Sequence, residues 1–213
     1  MKTVTDAVRE ILTQSDIATD AIRQGILNFS AYAEQIVDQV EQITWKPVQK
    51  NTVVVALTRV AKEIVDVAPL QPNIFIEELS IKAPLTDITF ERTEDTLLKV
   101  QKLPSQLGLP STHFLTITEG INEITLIVSQ DKADRVLEMV GAHPKSVYRD
   151  LVGITMKFSA EYLSQPNVIF SLLGKLARQR INLLEIVSTY TELTVLIEEQ
   201  DLERAVTSLK KTT

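Results

Sequence analysis

The chain has 213 residues, enough for two small domains or for one domain with an extension. Hydrophobic residues make up 44% of it and charged residues 23%, as in an ordinary globular protein. The formal net charge of −6 argues against a surface that binds nucleic acid or acidic membrane throughout. Cysteine is absent, which excludes disulfides, zinc–thiolate sites and cysteine nucleophiles.

Few residues of the kinds that catalysis uses are present. The two histidines, His113 and His143, lie in separate segments, so we expect neither a histidine metal site nor a Ser–His–Asp triad. The glycines are too widely spaced for either common phosphate-binding glycine loop. These exclusions favour a binding protein over an enzyme, and we expect no cofactor and no metal.

Export and membrane signals are missing from the sequence. The longest apolar stretch, Val53 to Leu57, is far short of the roughly 20 residues that a spanning helix needs. The N-terminus lacks a basic stretch followed by an apolar one. We therefore predict a cytoplasmic protein without membrane contact.

The region 1–67 is predicted to form a small all-α domain of four amphipathic helices. Apolar residues recur at helical spacing in four stretches, and Ser15 and Pro47 lie at two of the breaks. Ser30 and Asn51 are the expected N-caps of the third and fourth helices. The region also resembles, less specifically, small helix-turn-helix domains.

Beyond a proline-containing linker at Ala68–Pro72, an internal repeat is the strongest signal. Residues 123–140 align without gaps with residues 192–209, at an offset of 69. Each copy has a strand of alternating apolar residues followed by a helix with an apolar stripe. We therefore predict two related units, over residues 73–150 and 151–213.

The second copy has the element order strand, helix, strand, strand, helix. Its first strand is expected from Gly153 to Ser159, and Pro166 and Asn167 are expected to open the helix. A final strand would complete a split βαβ unit of ferredoxin type. Because the sequence stops at Thr213, we expect that strand to be absent or supplied from elsewhere.

The first copy follows the same order more loosely. A helix is expected over Thr93 to Gln106, with a break at Pro104. Strands are expected over His113 to Glu119 and over Glu123 to Ser129. Ser146 to Leu151 is the candidate for the last strand of this copy.

Five segments of the second copy have a familiar pattern: GITMKFS from Gly153, PNVIF from Pro166, INLLEIVST from Ile181, ELTVLI from Glu192 and DLERAV from Asp201. They resemble an ACT domain and, more narrowly, the tandem ACT regulatory region of aspartate kinases. The resemblance covers roughly residues 74–211 and implies an α+β fold of tandem ferredoxin-like (βαββαβ) ACT units. It also implies that a small ligand, most often an amino acid, binds between paired ACT domains and acts allosterically.

The kinase lobe of aspartate kinases has no counterpart in the sequence. Adjacent glycines are absent, and only about 70 residues precede the repeat. We therefore predict a non-catalytic regulatory protein, and a regulatory subunit that completes an aspartate-kinase-like enzyme is an alternative. A ligand-sensing transcription regulator, with residues 28–65 contacting DNA, is another. Residues 1–66 carry 7 basic and 9 acidic residues, which does not favour the DNA alternative.

The loop before the second-copy helix is the first part of the candidate ligand site. The free N–H groups and the positive end of the helix suit an anion such as an amino-acid carboxylate. ACT sequences commonly place glycine where this chain has asparagine, a residue that tolerates left-handed backbone angles. Capping of the helix by Ser164 or Gln165, with no ligand, is the alternative. The candidate contacts are Ser159, Gln165, Asn167 and Val168.

The second part of the candidate site lies on the strand expected over Asn182 to Thr191. The resemblance places Asn182 and Ser188 at positions where the family often carries polar ligand contacts. Glu185 would bind an ammonium group through a charge-assisted hydrogen bond, and Thr189 adds a hydroxyl. A solvated strand face without a ligand is the alternative.

The strand Glu192–Ile197 is apolar on both faces, since Thr194 and Leu196 lie on the side opposite Leu193. Pairing of sheets between two chains would explain this composition, and we predict a homodimer. Burial under the helical domain is the alternative.

Overall fold

A computed structural model describes residues 2–64, 71–107 and 114–210. The chain divides into two compact units, Met1–Pro72 and Asn73–Thr213. His113 and residues 68–70 of the expected linker lie outside the described residues. Across the described ranges, no helix has the length and apolar character needed to cross a membrane.

The N-terminal unit contains four helices, as predicted. They are α1 (Val4–Thr13), α2 (Asp16–Arg23), α3 (Phe29–Thr44) and α4 (Lys50–Ile64). Their apolar stripes form one core that includes Val8, Leu12, Val40, Leu57 and Val60. The small all-α N-terminal domain is therefore confirmed.

Two of the expected helix starts in this unit are wrong, each by two residues. Asn28 caps α3, because its Oδ1 accepts the N–H of Ala31 at 3.1 Å, and Ser30 lies inside the first turn. α4 begins at Lys50, so Asn51 is its second residue. Both Asn28 and Ser30 are good capping residues, and the residues that follow either of them can form a helical turn.

The second unit has six strands and four helices of α type, within the described residues. In chain order they are β1 (Ile76–Glu91), α5 (Glu94–Leu107), β2 (Leu115–Glu119), β3 (Glu123–Ser129), α6 (Gln130–Val140), β4 (Ser146–Phe158), α7 (Val168–Arg178), β5 (Glu185–Ser188), β6 (Glu192–Glu198) and α8 (Leu202–Lys210). Short 3-10 helices lie at Ala160–Ser164 and Glu199–Asp201. The strands form one antiparallel sheet in the order β2-β3-β1-β4-β6-β5. The predicted α+β class with tandem ferredoxin-like units is confirmed.

The long strands β1 and β4 each belong to both copies of the repeat. Residues 85–91 of β1 pair with β3, whereas residues 76–82 pair with residues 153–158 of β4. In sequence order the second copy lacks a fourth strand, and the start of β1 supplies it. The start of β4 is the fourth strand of the first copy, and it begins at Ser146 as predicted. This pairing crosses the boundary predicted between residues 150 and 151.

Each half of the sheet is covered by its own pair of helices. The first core lies between α5, α6 and the sheet, and it includes Ile88, Phe90, Ile124, Leu126 and Val136. The second core lies between α7, α8 and the sheet, and it includes Ile154, Met156, Leu172, Val195 and Leu209. The offset of 69 thus superimposes β3 on β6 and α6 on α8, as the repeat predicts.

A third cluster lies on the faces of the sheet that carry no helix. It consists of Leu85, Ile127, Leu151 and Leu196, all of them buried. Both faces of β6 are therefore buried within a single chain. Neither a second chain nor the helical domain is needed to explain why that strand is apolar on both sides.

Two expected element boundaries in the second unit are also wrong. α5 continues through Pro104 to Leu107, because the buried side chains of Leu103 and Leu107 hold the last turn against the sheet. Those contacts outweigh the backbone hydrogen bond that proline cannot donate. β5 is only four residues long, so Asn182 precedes it and lies outside the strand.

Candidate functional site

A cavity of about 290 Å³ lies at the start of α7, beside the end of β5. Its floor is formed by the buried side chains of Phe158, Val168 and Leu193. The 3-10 helix before α7 contributes Tyr162 and Leu163 to the wall. The remaining wall residues come from the first turn of α7 and from the turn after β5, namely Gln165, Asn167, Ile169, Phe170, Ser188, Thr189 and Tyr190.

The structure brings five of the eight predicted contacts together at this cavity. They are Gln165, Asn167, Val168, Ser188 and Thr189. Ser159 lies outside its lining, and its Oγ accepts the N–H of Glu161 at 3.3 Å as the cap of the 3-10 helix. Asn182 and Glu185 also lie outside the lining.

Asn167 is the N-cap of α7 and has the left-handed backbone angles φ 68° and ψ 14°. Glycine, asparagine and aspartate adopt this region at a lower steric cost than other residues, and asparagine suits this position. Its side chain forms no capping hydrogen bond. Capping by Ser164 is not observed either, since Ser164 Oγ donates to the carbonyl of Glu161 at 3.4 Å.

The cavity therefore meets a helix start whose N–H groups are available. The first N–H groups of any helix lack a partner within that helix. In α7 the N–H of Ser171 is bonded to the carbonyl of Asn167 at 2.8 Å. The N–H groups before it belong to Val168, Ile169 and Phe170, and all three residues line the cavity. A carboxylate at this position would gain hydrogen bonds and the favourable field of the helix end.

Glu185 faces away from the cavity because it lies three residues from Ser188 in one strand. Residues at odd separation in a strand point to opposite faces. Ser188 is paired with Leu193 on the cavity side, and Glu185 is paired with Leu196 on the helix-free side. Burial raises the pKa of Asp87 to about 6, with a further contribution from the charge of Glu185 and an opposing one from a hydrogen bond with Thr89.

The aromatic part of the wall was missed by reasoning from the sequence. Phe158, Tyr162, Phe170 and Tyr190 all line the cavity, although aromatic residues make up only 5% of the chain. Tyr162 also fixes the loop, because its hydroxyl accepts the N–H of Phe75 at 3.2 Å. The clustering of these rare residues between 158 and 190 is a signal in the sequence that points to this site.

The corresponding helix start in the first copy is built differently. Only Arg92 and Thr93 separate β1 from α5, whereas nine residues, 159–167, separate β4 from α7. Thr93 Oγ1 accepts the N–H of Thr96 at 3.1 Å, so α5 has the side-chain cap that α7 lacks. The second copy is therefore the better candidate for a ligand site.

The segment that contains the cavity has a recognisable sequence pattern. A family model of the ACT domain matches residues 147–211. This segment is an ACT domain. The match begins in β4 and extends past α8, so the ACT domain includes every residue of the cavity. No curated protein matches this sequence.

Several solved structures are similar in fold to the second unit and its surroundings over about two thirds of this chain. The regulatory subunit of aspartate kinase from Thermus thermophilus, in its ligand-free form, has a TM-score of 0.54 and 15% identity, over 65% of this chain and 97% of that chain. The regulatory subunit from Thermus flavus has a TM-score of 0.51 and 14% identity, over 66% of this chain and 99% of that chain. Clostridium acetobutylicum aspartate kinase has a TM-score of 0.53 and 16% identity, over 65% of this chain but only 35% of that one. The predicted resemblance to the regulatory region of aspartate kinases, without the kinase lobe, is confirmed at the level of the fold.

Proposed function

We propose that this chain is a non-catalytic regulatory protein that binds an amino acid in the cavity of its ACT domain. The observation that carries the proposal is the cavity itself, which meets the start of α7 where no side chain caps the helix. An amino-acid carboxylate accepts hydrogen bonds from the N–H groups of Val168, Ile169 and Phe170. The ammonium group donates to uncharged oxygens, which Asn167 and Ser188 supply.

The position of β5 supports a regulatory role for such a ligand. Ser188 of this strand lines the cavity, and Val187, on the other face, packs against the cluster of Leu85, Ile127, Leu151 and Leu196 between the two halves of the sheet. A ligand that fixes the end of β5 therefore also fixes a contact between the two halves of the sheet. The ligand regulates only if it binds one arrangement of this contact more tightly than another.

Titration calorimetry against the twenty amino acids tests the proposal. We expect saturable heat with at least one of them. Asn167→Asp places a negative charge beside the carboxylate and should abolish that heat, and Ser188→Ala should weaken binding. Glu185→Gln is the matched control, because Glu185 lies in the same strand but outside the cavity. Absence of heat with all twenty would refute the amino-acid proposal.

A regulatory subunit of a kinase-like enzyme is a second candidate. It is supported by the solved regulatory subunits from Thermus, which this chain covers over 97% and 99% of their length. Affinity purification of the full chain from its own cells should then retain a separate kinase chain. Purification without such a chain, at native expression levels, would contradict this candidate.

The proposal does not include DNA binding by the helical unit. Lys50, one of the few basic residues there, forms an ion pair with Glu34 at 2.8 Å. The homodimer and the cytoplasmic location remain predictions from the sequence. Sedimentation of the full chain with and without the bound amino acid would test the homodimer.

A further inference from the structure

The walls of the ACT-domain cavity carry no charged side chain among the described residues. Eight of the lining residues are apolar or aromatic, and the other four are uncharged polar residues. The polar four, Gln165, Asn167, Ser188 and Thr189, lie at the start of α7 and the end of β5. This composition divides the cavity into a small polar region and a larger apolar one.

Charged residues that adjoin the cavity in sequence are directed elsewhere. Lys157 precedes Phe158, and Glu192 precedes Leu193, yet Lys157 and Glu192 are paired with each other in the sheet register. Neighbouring residues of a strand point to opposite faces, so both lie on the face away from the cavity. Glu161 is exposed on the 3-10 helix, and its N–H is bonded to Ser159. No carboxylate or ammonium group is therefore available in the described lining to pair with a charged ligand side chain.

The polar region suffices for the two groups that all amino acids share. The α-carboxylate and the α-ammonium group both need hydrogen bonds, and the α7 N–H groups with the four polar side chains provide donors and acceptors. What remains for the ligand side chain is the apolar region, which includes Phe158, Val168, Phe170 and Leu193. A volume of about 290 Å³ is the share of about ten water molecules, comparable with one large amino acid.

We infer that the ligand is an amino acid with a large uncharged apolar or aromatic side chain, of the leucine, isoleucine or phenylalanine class. The inference rests on the proposed function, because it assumes that the cavity binds an amino acid. An apolar side chain gains from leaving water for these walls. A lysine or aspartate side chain would lose its hydration without finding a partner.

Titration calorimetry of the full chain with five single amino acids tests the inference. We expect leucine or phenylalanine to bind at least about 100-fold more tightly than lysine and aspartate, and at least about 10-fold more tightly than threonine. Lysine, aspartate or threonine as the tightest ligand would overturn the inference and leave the proposed function intact. Binding by none of the twenty amino acids would overturn both.

A variant in the apolar wall shows whether contact with that wall determines the ligand preference, as distinct from a general effect on the fold. Phe170 is 47% exposed, so Phe170→Ala is expected to fold, and it should weaken leucine or phenylalanine binding about 10-fold. Ile186→Ala is the matched control, because Ile186 is 42% exposed and lies outside the lining. Phe170→Glu supplies the missing carboxylate and should shift the preference towards lysine. Equal ligand affinities in all three variants would overturn the inference.

Discussion

Thr93 and Asn167 occupy the same place in the two copies of the repeat, immediately before the first helix, yet only Thr93 caps its helix through its side chain. Thr93 Oγ1 accepts the N–H of Thr96 at 3.1 Å, and Asn167 makes no such bond. Asn167 instead adopts φ 68°. The start of the first helix is thus capped by a side chain in the first copy. In the second copy it has no side-chain cap and lies beside a cavity.

The effect on stability of a substitution at Asn167 should depend on whether the new residue tolerates left-handed backbone angles. Asn167→Gly should leave the stability unchanged within a few tenths of a kcal/mol, because glycine adopts left-handed angles without strain. Asn167→Val should lower the free energy of unfolding by about 1–2 kcal/mol, since a β-branched residue is strained there. Urea denaturation measures both values. Equal stability of the two variants would show that the backbone is not held in this conformation.

Loss of the cap in the first copy should affect stability but not binding. Thr93→Ala removes the acceptor for the Thr96 N–H and should cost about 1 kcal/mol of unfolding free energy. The conservative variant Thr93→Ser should keep most of the stability that Thr93→Ala loses. Because the cavity lies in the second copy, ligand affinity measured by calorimetry should be unchanged in both. Weaker ligand binding in Thr93→Ala alone would instead indicate a site in the first copy.

Asp87 should make the protein more stable in mild acid than at neutral pH. Its pKa is raised from 3.8 to about 6 by burial and by Glu185, so the folded state holds the proton more tightly than the unfolded state. This stabilisation is complete below about pH 4 and is lost as the pH rises through 6. The loss amounts to about 3 kcal/mol.

Comparison of Asp87→Asn with the unsubstituted protein isolates the contribution of the Asp87 carboxyl group to the pH dependence of stability. Asparagine does not titrate, so the variant should be the more stable protein at pH 7, by up to about 3 kcal/mol, and the advantage should vanish near pH 4. Urea denaturation across this range measures the difference. Glu185→Gln should reduce the advantage, because it removes the neighbouring negative charge. A difference between Asp87→Asn and the unsubstituted protein that is independent of pH would contradict the raised pKa.

Close packing of β4 on β1 should make Gly153 intolerant of a side chain. A Cβ atom at Gly153 would lie 2.8 Å from Leu85 Cδ1, within the helix-free cluster. Gly153→Ala should therefore cost about 1–3 kcal/mol of unfolding free energy, and less in a Leu85→Val background. Gly120→Ala is the control, since its nearest contact would be 3.4 Å away. Additive effects of Gly153→Ala and Leu85→Val would contradict this contact.

The parts of the fold that the sequence predicts are those formed by neighbours in the chain. β3 with α6, and β6 with α8, are each continuous segments, so their periodicity and their offset of 69 are visible in the sequence. The fourth strand of the second copy is different. Residues 76–82 pair with residues about 75 positions later, and no local pattern marks that distant pairing.

The candidate site was predictable in part for similar reasons. The left-handed Asn167 and the polar end of β5 follow from local residue types. The exclusion of Glu185 also follows from the alternation of a strand, once Ser188 is placed in the cavity. The burial of Leu196 against Leu85 and Ile127 could not be predicted, because it depends on how the two halves of the sheet meet.

The most direct test of amino-acid binding in the ACT domain is an NMR titration of the backbone amides with leucine and, separately, with phenylalanine. The N–H groups of Val168, Ile169 and Phe170 should show saturable shifts, with smaller ones at Ser188. The shifts should be absent in Asn167→Asp. Unchanged amides at the start of α7 with either amino acid, while calorimetry registers binding, would place the ligand elsewhere and contradict the account.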